Sequence, residues 1–169
     1  MRRESLEGLA ALVIPQGFEL RTFRVGDESR WAKLMTGAIG DWDEDSTSRV
    51  FLRDPGVSED GVFLLTAGHD FVGTATDKKL PDAEAGYLHM VAVDPRYRGK
   101  GFGRCISLAA LIHMSERGCR EALLDTDDFR LPAIRTYLAL GFVPDMLEAD
   151  HDDRWNAIFA EFKAARPRG

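Results

Sequence analysis

Between Arg98 and Arg104 the chain alternates cations with glycines, as Arg98-Gly99-Lys100-Gly101-Phe102-Gly103-Arg104. Glycines lack a Cβ, so the backbone can take positive φ and approach a ligand closely. The cations would draw an anion to it. An apolar helical pattern follows at once, from Gly103 to Arg117, which puts the cationic turn at a helix N-terminus. Free N–H groups and the positive end of the helix dipole favour negative charge there. The chemistry implied is a pyrophosphate site, because without a ligand three clustered cations would only repel one another. Two familiar phosphate loops are excluded. No G-x-x-x-x-G-K-[ST] string occurs, and Gly101-x-Gly103 is followed by Cys105-Ile106 with no third glycine.

Several elements must position this turn. Leu88, Met90, Val91, Ala92 and Val93 form an apolar run suited to a buried strand, stopped by Asp94-Pro95. After the turn, Ile106, Leu108, Ala109, Leu111, Ile112 and Met114 supply a buried helix face, ended by Gly118. Glu121–Thr126 reads as a further strand. Strand, helix and strand at this spacing suggest a right-handed crossover between parallel strands, which can splay to open a slot. A helix follows over Leu131–Leu140, with Pro132 in its first turn and Gly141 at its end. Upstream, Phe18–Val25 alternates as a strand, and Asp27 suits the N-cap of a helix carrying Trp31, Leu34 and Met35. An acidic turn holds Asp41, Asp43, Glu44 and Asp45, before a second helix from about Ser46 to Leu52. Gly61–Ala67 and Phe71–Asp77 form a hairpin around Gly68-His69-Asp70. Near the end, Trp155, Ile158, Phe159 and Phe162 have helical spacing.

The 169 residues, 44% of them hydrophobic, suit one domain over 1–169 with a sizeable core. A net charge of −6 without a basic run argues against nucleic acid as a partner. No segment is long and apolar enough for a membrane span. The apolar stretch Leu9–Ile14 is too short for a signal peptide, and Glu4 and Glu7 interrupt the approach to it. Cys105 and Cys119 offer no metal-ligand spacing, so no metal is expected and free thiols in the cytoplasm are the simple reading. Cys105 falls in a first helical turn, which could lower its pKa, although packing accounts for it as well. His69, His113 and His151 read as turn or surface residues.

The stretch resembles the acyl-CoA loop of the GCN5-related N-acetyltransferase superfamily. Arg98, Gly101 and Gly103 match [RQ]-x-x-G-x-[GA], after a strand ending in Val93-Asp94-Pro95. A second signature, N-x-x-A-x-x-x-Y-x-x-x-G-F, is matched by Ala133, Tyr137, Gly141 and Phe142, with Arg130 in the Asn position. The two signatures cover about a third of the chain. The resemblance implies an α/β fold with a mixed central sheet of about six to seven strands, flanked by helices. The fourth and fifth strands would be parallel and splayed. A C-terminal helix would replace the usual last strand, closing the acceptor site, packing on a second subunit as a homodimer, or packing within the monomer.

The same resemblance implies acetyl-CoA as cosubstrate and an N-acetyltransferase acting by direct transfer in a ternary complex. The acceptor would be a small amine, a peptide N-terminus or a protein lysine. The backbone of Val91, Ala92 and Val93 would hold the pantetheine arm and the thioester carbonyl, and Arg98 to Arg104 the pyrophosphate. Arg130 would reach a carbonyl or a phosphate, and Tyr137 would protonate the leaving thiolate. Tyr-Leu-His-Met-Val-Ala-Val is similar to the H-L-H-V-L-A-V strand of arylalkylamine acetyltransferases, which makes His89 the candidate base. Tyr87, Glu84 or a water chain are alternatives, as are purely structural roles for His89 and Tyr137. The acidic turn borders the acceptor entrance in relatives and implies a cationic acceptor. The other function class is an acyl-CoA-binding sensor without catalysis.

Overall fold

The computed structural model describes residues 1–81 and 84–165. Six strands form one sheet: β1 (Arg2–Arg3), β2 (Glu19–Thr22), β3 (Val62–Ala67), β4 (Asp70–Lys79), β5 (Ala85–Val93) and β6 (Glu121–Leu123), in the order β1-β6-β5-β4-β3-β2. The helices are α1 (Glu28–Thr36), α2 (Glu44–Ser46), α3 (Phe102–Glu116), α4 (Leu131–Ala139) and α5 (His151–Ala164), and α2 runs on into a π-helical turn over Thr47–Phe51.

The expectation that the fourth and fifth strands are the parallel, splayed pair is corrected. β4 and β5 are antiparallel, and the parallel pair is β5 with β6. The hairpin and the crossover themselves lie where the sequence puts them. The strand numbering shifts because β1, two residues long, carries no alternation by which to recognise it. Arg2 and Arg3 pair antiparallel with Leu123 and Ala122, and Arg2 bridges Val143 on its other side. Their strand conformation comes from being held between two other segments.

The strand patterns translate into two cores, one on each face of the sheet. On one face α3 lays Ile106, Leu111 and Met114 against Leu65, Val72 and Leu88. Gly86 permits the close approach, since a Cβ there would meet the Met114 side chain at 2.5 Å. On the other face Trp31, Met35 and Phe51 pack on Val62, Leu64 and Ala92. Trp31 is fully buried, and its Nε1–H donates to Thr74 Oγ1 at 3.2 Å. A buried indole N–H thus finds its partner.

His113 is not the surface residue expected. Its Nδ1 lies 2.8 Å from Oδ2 of buried Asp77, which also accepts from Arg117 Nε at 2.6 Å. This ionic knot joins β4 to the last turns of α3. The C-terminal helix is present and touches α4 and the segment before it. Ile158 is buried, Arg154 pairs with Asp128 at 2.8 Å, and Arg135 of α4 lies over the Phe162 ring.

Candidate active site

The cationic turn is built as an open cradle. Asp94 accepts from the Arg96 backbone N–H at 2.8 Å, starting a 3-10 turn over Pro95–Tyr97 that redirects the chain out of β5. Gly99 and Gly101 then take φ of +77° and +81°, and a Cβ at either would meet nothing within 4 Å. Gly101 is the N-cap of the 15-residue α3, with no side chain capping its first N–H groups. Arg98, Gly99 and Lys100 are exposed around it. Phe102, by contrast, is buried against Phe18 at 4.5 Å between ring centroids, so only its backbone faces the turn. Gly103 has an ordinary helical φ, and its Cβ position is 3.7 Å from Val93 Cγ2. Open backbone at positive φ, uncapped N–H groups and surrounding cations are the donor set a pyrophosphate requires.

The slot beside this turn comes from the register. β5 and β6 pair only from Ala85↔Glu121 to Tyr87↔Leu123. From Leu88 to Val93, β5 has left β6, while its other edge stays laddered to β4 as far as Gly73↔Val93. On that side no strand pairs with Val91, Ala92 and Val93, and the Val93 carbonyl accepts from Arg98 Nε at 3.3 Å. A bulge sits in the same place, where Met90 and Val91 stand against Ala75 alone and Met90 takes φ of +48°. Positive φ at a residue with a side chain is uncommon, and bulges of this kind re-aim side chains beside functional sites.

Tyr87 and His89 lie on the α1–α2 face of this strand. The Tyr87 and His89 rings are 5.7 Å apart, and His89 lies 6.4 Å from Phe51. Burial, then the charge of Lys78, hold His89 below its ordinary pKa against the opposing pull of Asp54. His89 is thus uncharged near neutral pH and free to accept a proton. Tyr87 Oη donates to Asp125 Oδ2 at 2.8 Å, at the end of the gap where the two strands part. Burial and that bond keep the Tyr87 phenol well above its usual pKa. Tyr137, on α4, is buried in the α3-side core, and burial pushes its pKa up to about 12 against the opposing charge of Arg130. It stays protonated and able to donate.

The other expected residues lie differently. Arg130 pairs with Asp127 at 2.7 Å and stacks on Phe129 at the start of α4. Glu84 faces Arg120, exposed at the far end of β5. Burial raises the Cys105 thiol, opposite to the shift its helical position suggested. In the acidic turn, Asp43 caps α2 through the Ser46 N–H at 2.7 Å, and Asp45 pairs with Arg49 at 2.6 Å. Asp125 carried no signal in the sequence, because it lies past the end of a strand and meets Tyr87 only through the parallel pairing. Among the described residues, no group of three or more His, Cys, Asp or Glu side chains could hold a metal, and no helix is long and apolar enough to cross a membrane.

The sequence profile of the acetyltransferase (GNAT) family matches residues 22–142, which contain the turn, the slot and α4. The chain belongs to this GNAT family. Among curated proteins it is 34% identical over 154 residues to a mycothiol acetyltransferase of Thermobispora bispora, covering 84% of this chain and 52% of that protein. A mycothiol acetyltransferase of Thermomonospora curvata is 32% identical over 140 residues, covering 79% and 47% respectively. The chain thus spans about half the length of the curated relatives it matches. The GNAT fold is seen again in the ribosomal-protein-S18-alanine N-acetyltransferase from Escherichia coli. That match has a TM-score of 0.64 and 20% identity, and covers 76% of this chain and 79% of that one. A putative acetyltransferase from Agrobacterium tumefaciens gives a TM-score of 0.63 at 22% identity, over 75% and 94%.

Proposed function

We propose that this GNAT chain transfers the acetyl group of acetyl-CoA directly to a primary amine. The observation that carries the reading is the departure of β5 from β6 after Tyr87, which leads from the cationic cradle to the acid–base groups. The cradle binds the pyrophosphate, and the free edge of Val91 to Val93 takes the pantetheine arm and orients the thioester carbonyl. His89 removes a proton from the attacking amine. The amine nitrogen bonds to the carbonyl carbon, the carbon–sulfur bond breaks, Tyr137 protonates the departing thiolate, and the new amide nitrogen sheds its remaining extra proton to water, from which Tyr137 is reprotonated. Direct attack suits a site whose nearest thiol, Cys105, is buried with a raised pKa and lies 3.6 Å from the Val13 carbonyl. Two free, buried cysteines suit a reducing compartment such as the cytoplasm.

The test is thiol release from acetyl-CoA with a panel of amines, headed by mycothiol-related amines because of the curated relatives' names. Amine-dependent release of one thiol per acetylated amine is expected. Tight acetyl-CoA binding without release for any amine would favour the non-catalytic acyl-CoA-binding reading instead. The substitution of Arg130 at the Asn position of the second signature leaves that reading in play.

A further inference from the structure

The bond between Tyr87 and Asp125 has no part in the acetyl-transfer steps above, yet it lies at the end of the slot where β5 and β6 part. Tyr87 stands at the last residue where β5 and β6 are paired, and Asp125 lies two residues beyond the end of β6. Tyr87 Oη spends its one proton on Asp125 Oδ2, and one of its lone pairs faces the Asp125 backbone N–H, which leaves the other as an acceptor. Asp125 is exposed and makes no other hydrogen bond among the described residues, so its second oxygen is free as well. The pair therefore presents acceptors side by side and no free donor. The neighbouring groups do not fill that role. His89 is uncharged, and the Lys78 ammonium is bound to Asp54 at 2.5 Å. The Met1 ammonium feels the Asp125 charge, but its hydrogen bond goes to the Leu124 carbonyl at 2.7 Å.

We propose that Tyr87 and Asp125 together dock the acceptor, recognising a primary ammonium by its charge and by two of its N–H donors, and handing it to His89 for deprotonation. The proposal rests on the amine-acetyltransferase reading and deepens it: it selects cationic primary amines over hydroxyl and quaternary compounds. A hydroxyl brings one donor and no charge, and a quaternary ammonium brings charge and no donor. A charged hydrogen bond of this kind contributes about tenfold or more in affinity.

The first measurement needs no turnover. Protein carrying 13C-labelled tyrosine has three ring signals, from Tyr87, Tyr97 and Tyr137, and Tyr87→Phe assigns the first. With CoA bound, methylammonium chloride is expected to move the Tyr87 signal, and tetramethylammonium chloride at equal ionic strength is expected to leave it in place. Movement with both salts, or with neither, overturns the proposal. In turnover assays, Asp125→Asn is expected to raise the KM for the amine about tenfold with kcat within twofold, and Asp125→Glu to recover part of the loss. A fall in kcat at unchanged KM would overturn docking and make Asp125 a proton-transfer group. Failure of the acetyl-transfer reading shows separately, as absence of amine-dependent thiol release from the wild-type protein, and the tyrosine signal still decides the docking question.

Discussion

The two edges of β5 differ in a way that separates scaffold from site. Toward β4 the strand is laddered from Lys79↔Gly86 to Gly73↔Val93, and behind that ladder Asp77 ties β4 to α3 through Arg117 and His113. Toward β6 it is paired over Ala85, Gly86 and Tyr87 alone. Over Val91 to Val93 no second strand takes up the backbone on that side, and this is the edge proposed to receive the ligand. A binding edge of this kind is made by stopping a ladder, and it keeps its shape only because the opposite edge is held.

That contrast can be broken first on the scaffold side. Asp77→Ala removes the buried carboxylate that Arg117 and His113 share and leaves the Arg117 guanidinium unpaired, so it should cost about 3 kcal/mol or more of stability. Denaturant unfolding reads it, while calorimetry at low temperature should find acetyl-CoA affinity intact in the folded fraction. Unchanged unfolding would show that the ladder alone holds the edge.

On the site side, Gly101→Val puts a β-branched residue at a φ of +81° in the cradle. Acetyl-CoA affinity should drop about 100-fold in calorimetry, and wild-type affinity would remove the turn from the pyrophosphate site. Tyr137→Phe keeps the ring in its core and deletes only the proton. It should lower kcat by roughly 10²-fold with the acetyl-CoA Kd unchanged, and single-turnover kinetics would separate chemistry from release. Unaltered kcat with chemistry rate-limiting would return Tyr137 to a packing role.

The smallest effect is a shift in pH dependence. With His89 as the proposed base, working uncharged, kcat/KM should fall on the acid side through a midpoint below the free-imidazole value of ~6.5. Lys78 is one of the groups depressing that midpoint and Asp54 opposes it. Lys78→Met should therefore move the acid limb upward, and a pH–rate profile would show it. A downward or absent shift would take His89 out of the role of base.

The cradle was legible because its function is local. Glycine at positive φ and a helix start following within two residues are properties of consecutive residues, so Gly99, Gly101 and α3 could be placed from spacing alone. The α4 signature was legible for the same reason, since Ala133, Tyr137, Gly141 and Phe142 share one helix and its stop. The terminal helix showed through the periodicity of Trp155, Ile158 and Phe162. Asp125, the bulge at Met90, the Asp77 knot and the strand Arg2–Arg3 were not legible. Each depends on a partner far along the chain, 38 residues away for Asp125 and Tyr87, and no local pattern records it. The parallel pair was misnumbered on the same account, through a strand whose only reason to be extended is its neighbours.

By itself, then, the amino-acid sequence determined the elements, the apolar faces that bury them, and a cationic glycine turn at the head of α3, since these follow from backbone sterics and hydrophobic periodicity over a few residues. The tertiary structure alone decided where β6 parts from β5, which charges are consumed in structural pairs and which remain open, and that Tyr87 and Asp125 meet at the end of the slot. Strand register and burial are set by the whole core at once, and the local electrostatics of a site follow from both.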